Sequence, residues 1–434
     1  MTSWRSCLKL RCTALLLTAG LAVPAAAEQL TFRRTIELAL EKNGVVVTSA
    51  ADIRKAQASY LEARNAYLPI VVLGSGLGYS KGVPLTLQGN APTIFNLTSQ
   101  QFLLNFAQRD FLRAARSDIS AAQFDAADRR NTVLIDAALA YIELDNVLSR
   151  LRSLKEQQQA ASRVTFIAEE RLREGIDSPV DAKRAQLAAA RVELRIAQAT
   201  TAADVLRDRI ARWTGVSADS IETVPESIPD HPDIAPNGDY TDLAVANNPV
   251  VKLADERARA AEFRARAETK QNWPSIDLAS QYAVLSRYNN YEDFYQKFER
   301  NNITVGLSIR FPVFNFVQKA RNEQAKSDSV KARVEADGVR AQVRESTLKL
   351  HRSLRQLAAA AEVARLEHEI AEADASTTES RVQSGATNSR QAEQARLDAG
   401  DRYIAYLEAS LELWRAQVEL LRSTGELEDW AMSK

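Results

Sequence analysis

Ile303-Thr304-Val305-Gly306-Leu307-Ser308-Ile309-Arg310-Phe311 alternates apolar residues with small or polar ones from end to end. That is the pattern of a strand with one face in an apolar medium. Upstream, Ile276, Leu278, Tyr282 and Val284 oppose Asp277, Ala279, Gln281 and Ala283 in the same way. Each run has about the 9 to 11 residues that a tilted strand needs to cross a bilayer. Residues 287–302, rich in Asn, Tyr and Glu, separate the two runs and are longer than a tight hairpin requires.

The same arrangement stands earlier in the chain. Residues 70–80 set Leu73, Leu77 and Tyr79 against Gly74, Gly76 and Gly78, and residues 94–103 set Phe95 and Leu97 against Asn96, Thr98 and Gln100. A loop holding Gly82, Pro84, Gly89, Asn90 and Pro92 lies between them. Asn43 recurs as Asn248 and Pro69 as Pro274, 205 residues on. Asn105-Phe106, Arg171, Gly175, Ala182, Leu187 and Thr214-Gly215 recur 210 residues on as Asn315-Phe316, Arg381, Gly385, Ala392, Leu397 and Thr424-Gly425. One domain-sized unit is written twice, a period too long for a solenoid. The offset changes between Pro69 and Asn105, so the length difference belongs to the first hairpin loop.

Around the strands the chain reads as helix. Residues 31–67 carry helical patterning up to Tyr67-Leu68-Pro69, where proline turns the preceding residue extended. Residues 106–174 and 317–384 contain no proline, and 179–213 and 389–424 read as return helices. A 70-residue helix reaches on the order of 100 Å, several times the radius of a compact domain, so these elements are expected to stand out as rods. Leu134, Ala137, Tyr141, Leu144, Leu148 and Leu151 step by three and four, as do Leu411, Trp414, Val418 and Leu421, the pattern of a coiled-coil seam. At the rod turns, Gly175 and Gly385 suit the left-handed position after a helix. Ser178 and Asn388 can N-cap the next helix, and Pro179 suits its first position.

The chain begins with Arg5, Lys9 and Arg11 before a short apolar run and Ala25-Ala26-Ala27, which reads as a secretory signal over residues 1–27. Both cysteines, Cys7 and Cys12, precede the expected cut, and neither follows it immediately, so a lipoprotein is not expected. Removing 27 of the 434 residues leaves 407, with 53 Lys and Arg against 56 Asp and Glu. That near balance argues against nucleic acid as a partner. His231, His351 and His368 lack ligand spacing, and no phosphate-binding loop or nucleophile motif appears. Neither an enzyme, a metal site nor a cofactor is expected. Residues 215–240, with Pro225, Pro229, Pro232 and Pro236, join the copies and read as a linker.

Two strands per copy make four per chain, too few for a barrel. In hydrocarbon an open edge costs several kcal/mol per unsatisfied backbone group, so other chains are expected to complete the sheet. Two chains give eight strands and a filled barrel; three give twelve and a lumen. The small and polar face with Gly74, Gly76, Gly78, Thr304 and Ser308 fits a wet interior.

This order resembles the TolC-type outer-membrane efflux and secretion channel family. The residues that carry it are Leu30-Thr31 with Ala39 and Asn43, Tyr67-Leu68-Pro69, Arg171 to Gly175 with Asp181-Ala182 and Ala185-Gln186-Leu187, Asn248-Pro249, Pro274, Phe311-Pro312-Val313-Phe314, and Arg381 with Gly385. The resemblance implies a mainly α protein with membrane β: a homotrimer whose 12-stranded β-barrel continues into a long α-barrel across the periplasm. It implies a division into residues 28–214, 215–240 and 241–434, the middle segment lying in an equatorial collar around the helical barrel. It also implies passive export, with an inner-membrane transporter supplying energy and cargo, whether drug, metal, polysaccharide or protein. A periplasmic adaptor (membrane fusion) protein would grip the tips at Arg171, Leu172, Gly175, Arg381, Val382 and Gly385. Family members carry an acidic pair six and nine residues after the second tip glycine, which makes a charged constriction, so the resemblance places the periplasmic gate here. Here those positions are Gln391 and Gln394 with Glu393 between them, and the first copy has Asp181 and Arg184. A soluble periplasmic coiled-coil protein, structural or adaptor-like, is the other reading; it accounts for the rods but leaves the four strands without a role.

Overall fold

A computed structural model describes residues 30–76, 93–232, 234–235, 238–285, 299 and 301–433. The signal segment with Cys7 and Cys12, the strand ends at Leu77, Gly78 and Tyr79, and most of both inter-strand loops lie outside the described residues. The helices are α1 (Phe32–Lys42), α2 (Gly44–Asn65), α3 (Phe106–Arg173), α4 (Pro179–Thr214), α5 (Tyr240–Asn247), α6 (Pro249–Lys270), α7 (Phe316–Gln383), α8 (Ser389–Thr424) and α9 (Leu427–Ala431). The strands are β1 (Ile70–Gly76), β2 (Thr93–Leu104), β3 (Ser275–Leu285) and β4 (Asn301–Arg310).

The strands form one antiparallel sheet in the order β1-β2-β3-β4, so the two copies meet at β2 and β3. The register lines up chemistry across the sheet. Leu73, Leu97, Tyr282 and Ile303 form one row, and the next row, Gly74, Asn96, Ala283 and Asn302, lies on the opposite face. Thr98, Gln281 and Thr304 share that polar face with Asn96, where Gln281 donates to Asn96 at 3.0 Å. β1 and β4 are the two free edges, and their large apolar residues are exposed. No helix among the described residues is long and apolar enough to cross a membrane.

Where one unbroken helix was expected over residues 31–67, the chain bends at Asn43. Its amide closes α1 on the Ala39 carbonyl, and its side chain accepts from the Val45 amide at 2.9 Å to open α2. Asn248 does the same between α5 and α6, accepting from Val250 at 2.9 Å. A short side-chain acceptor satisfies the free amides of the second helix, and the repeated asparagine is therefore a joint. Below the sheet a second pair of asparagines starts the rods: Asn105 accepts from Ala107 and Gln108, and Asn315 from Gln318. Gln108 and Gln318 then donate back to the Ala63 and Glu268 carbonyls. The transitions differ in one respect. β2 runs to Leu104, directly before its cap, whereas β4 stops at Arg310 and residues 311–315 are irregular, because Pro312 has no N–H to extend the ladder.

Both rods have 68 residues and both return helices 36. The chain is four elements wide at every level. Near the sheet the order is α2, α3, α6, α7; toward the tips it is α4, α3, α8, α7. Between these levels lies the core. Leu134, Ala137 and Tyr141 are buried with Phe32, Ile36, Val418, Leu421 and Leu427, and Leu144 with Leu30, Leu206, Ile210 and Ile221. What reads as a helix–helix seam is thus a waist enclosed on several sides. The proline-rich segment packs here: Ile221 is buried, Leu30 bridges to Thr223, and His231 stacks on Trp414.

Tyr141 ties the waist together. Its hydroxyl donates to the Leu30 carbonyl at 2.7 Å and accepts from the Val224 amide at 2.8 Å. Tyr141→Phe removes the partner of both backbone groups at this largely buried waist, so it is expected to cost about 1–3 kcal/mol. The urea midpoint should fall with its slope unchanged; an unmoved midpoint would mean that water replaces the hydroxyl.

Candidate functional site at the hairpin tips

Each rod ends in the same turn. Glu174 and Ser384 close the helices, and Gly175 and Gly385 follow with φ of 73° and 75°. The Gly175 amide donates to Leu172 and the Ile176 amide to Arg171; Gly385 and Ala386 donate likewise to Val382 and Arg381. These bonds satisfy the last carbonyls of the rods, which the left-handed glycine makes reachable. Ser178 and Asn388 then cap α4 and α8 by accepting from the Asp181 and Gln391 amides. The six expected docking residues are therefore gathered within two equivalent turns.

The electrostatics of the two tips differ. Arg171 places Nε 3.1 Å from both carboxylate oxygens of Asp177, and this bond raises the Arg171 pKa above its ordinary value. Asp177 is nearly buried and also receives Arg390 of the second hairpin at 3.3 Å. Arg381, the counterpart of Arg171, makes no ion pair within the described residues, because Thr387 replaces the aspartate and turns its hydroxyl to Gln391. Asp177 and Arg390 were not legible as a pair in the sequence: they lie 213 residues apart and meet only because α8 lies beside α3. Asp177→Asn leaves Arg171 and Arg390 facing one another without a counter-charge. The Gly175 and Ile176 amides are then expected to exchange hydrogen roughly two- to fivefold faster, the range of a partly exposed ion-pair network. Unchanged exchange would show that the pairs do not hold the tip.

The five expected gate residues fall in three places. Asp181 completes a capping box with Ser178; the Ser178 hydroxyl and amide hold its carboxyl below the ordinary range, and Arg184 lies 3.4 Å away. Gln391 and Gln394 are exposed on α8. Glu393 points the other way, with its Oε1 3.2 Å from both Arg163 of α3 and Arg396. The exposed face after the second tip therefore carries amides, and the intervening carboxylate belongs to the seam between hairpins.

That seam is a ladder. Arg422 pairs with Asp128, Arg415 with Glu143 and Arg150 with Glu408, and the α8 members stand seven residues apart, the step that keeps a helix facing its neighbour. One step further tipward Asp401 turns to Arg195 of α4, and Gln157 of α3 meets the neighbouring Gly400, with no charge on either. A cleft of about 640 Å³ opens there, lined by Gln157, His368, Glu393, Gly400 and Tyr403 among others. Gln157 Nε2, His368 Nδ1 and Glu393 Oε2 are buried in it without partners. Among the described residues no three His, Cys, Asp or Glu side chains group to hold a metal.

Comparisons with known proteins place this architecture. The family model described as outer membrane efflux protein matches residues 35–216 and 241–426. The chain is 24% identical over 356 residues to "Outer membrane efflux protein BepC" of Brucella suis biovar 1 (strain 1330), covering 80% of this chain and 74% of that protein. Among solved structures, the outer-membrane channel OprN superposes with a TM-score of 0.75 at 20% identity, covering 92% of this chain and 91% of that one. The outer membrane protein VceC of Vibrio cholerae superposes at 0.74 and 18% identity, covering 91% and 96%. These two likenesses establish the fold.

Proposed function

The chain belongs to the outer membrane efflux protein family, and from that premise we propose that three copies close one continuous duct. A 12-stranded β-barrel would stand on a barrel of helices. The protein is an outer-membrane exit channel for efflux or secretion. In the proposed assembly the copies at residues 28–214 and 241–434 each give two strands and one helical hairpin, with residues 215–240 at the waist. Transport is passive: the apolar sheet face meets lipid, and the polar face with Asn96, Thr98, Gln281, Asn302 and Thr304 lines the lumen. The tips dock a periplasmic adaptor that couples the duct to an inner-membrane transporter.

The observation that carries closure is the pair of free edges, β1 and β4, on a sheet whose outer face is apolar. A handful of unpaired backbone groups in hydrocarbon, at several kcal/mol each, outweighs the whole stability of a typical domain. Only pairing edge to edge removes that cost. Native mass measurement in detergent is expected to give three chains; a monomer or dimer as the final state would sink the reading. Release with soluble periplasmic contents, without detergent, would favour the coiled-coil alternative instead.

A further inference from the structure

Toward the tips, the order α4, α3, α8, α7 leaves α4 and α7 as outer edges that do not pack on one another. Both carry an exposed stripe on the side away from their own neighbours. On α4, Val180, Leu187 and Leu194 are 57%, 51% and 58% exposed and stand seven residues apart, opposite the buried Ala182, Ala185 and Val192. On α7, Val363, Leu366 and Ile370 are exposed at steps of three and four, opposite the buried Ala361 and Ala371. Side chains at these spacings share one helix face.

At the levels of Arg191 and Leu194 the charges on the two stripes are opposite. Lys183 and Arg191 lie on the α4 stripe, and among the described residues neither makes an ion pair; the unpaired Glu193 lies on another side of the helix. Asp374 lies on the α7 stripe, likewise without a partner, and Glu367 beside it already pairs with Arg402. α4 begins and α7 ends at the tip. At about 1.5 Å per residue, Arg191 therefore stands level with the interval between Asp374 and Ile370, and Leu194 with the interval between Ile370 and Leu366. The levels match for helices running in opposite directions, as these do.

We propose that α4 of one copy seats on α7 of the next, with Leu194 between Ile370 and Leu366, Arg191 beside Asp374 and Leu187 just tipward of Asp374. This names the tipward contact that the proposed trimer requires, and it rests on that reading. It also assigns the contact a character unlike the α3–α8 seam within a chain: the charges Arg422, Arg415 and Arg150 of the internal seam already have partners, whereas Arg191 and Asp374 are neutralised by a second copy. Tipward closure is therefore sensitive to ionic strength, since partly exposed charges are screened within about 10 Å at 0.1 M salt.

The test exploits the width of the protomer. Within one chain α4 and α7 are three interhelical steps apart, roughly 25–30 Å, so a disulfide between them joins two chains. In full-length protein with Cys7 and Cys12 changed to serine, Leu194→Cys with Ile370→Cys is expected to oxidise to covalent dimers and trimers, and Glu193→Cys with Ile370→Cys is not. Arg191→Glu and Asp374→Lys should each slow the oxidation roughly threefold, and the two together should restore it. Native mass is measured on the same samples. A trimer that forms no α4–α7 disulfide overturns the contact and leaves the trimer reading intact; equal cross-linking from position 193, or no restoration in the double charge variant, also overturns it. Absence of a trimer overturns both.

Discussion

Export through a Gly175→Val, Gly385→Val variant is expected to fall by roughly an order of magnitude while the yield of assembled protein stays near normal. Neither glycine has an atom within 4 Å of where a Cβ would stand, so the substitution meets no steric wall. The cost is conformational. A β-branched residue held at a φ of 73° or 75° pays about 1–2 kcal/mol, which is a factor of 5 to 30 in the population of the turn. It falls on the exposed tips, far from the waist and the sheet. The paired variant Gly175→Asn, Gly385→Asn separates conformation from chemistry, because asparagine accepts the left-handed region more readily. Efflux-dependent survival is the readout. Full export from the valine variant would remove the tips from the docking surface.

The second large effect concerns ion block. If α8 faces the axis near the tips, three chains present Gln391 and Gln394 there, and amides supply dipoles without net charge. Block by trivalent cations from the periplasmic side should be weak. Gln391→Asp with Gln394→Asp crowds six carboxylates around a narrow axis, where low-dielectric walls focus the field, and should tighten block on the order of a hundredfold. Two carboxylates lie nearby, each with partners in its own chain: Glu393 with Arg163 and Arg396, and the more exposed Asp181 with Ser178 and Arg184. Single-channel recording decides. Tight block of the unmodified channel that disappears in Asp181→Asn would move the ring to the first hairpin.

The strands and rods were legible because each writes its geometry in a period, two for Ile303 to Ile309 and three to four for Leu134 to Leu144. The tip turns were legible because left-handed backbone calls for glycine and a free helix start for Ser or Asn. The bend at Asn43 was visible as a repeated letter but not as a break, since a capping asparagine interrupts neither composition nor periodicity. The role of Tyr141 was hidden for another reason. Its ring belongs to the apolar pattern, while its hydroxyl answers to Leu30 and Val224, whose proximity depends on the finished waist. Asp177 with Arg390, and Gln157 with Gly400, depend likewise on which helices lie side by side. Periodicity states that a face is buried and is silent on what it is buried against.

The pairing of β2 with β3 also sets a timetable. Each rod and its return helix are joined by a five-residue turn, so their contacts are local and form quickly, whereas the β2–β3 ladder aligns residues as far apart in sequence as Asn96 and Ala283. Long-range strand pairing waits on loop closure and is slow. A newly exported molecule therefore passes through a stage with rods folded and apolar strands unpaired, the condition that invites aggregation. Pulse-labelled hydrogen exchange during refolding into detergent should protect α3 and α7 well before β2 and β3. Losses to aggregation should therefore rise with the concentration of refolding chains, and the strands, not the rods, should set that dependence.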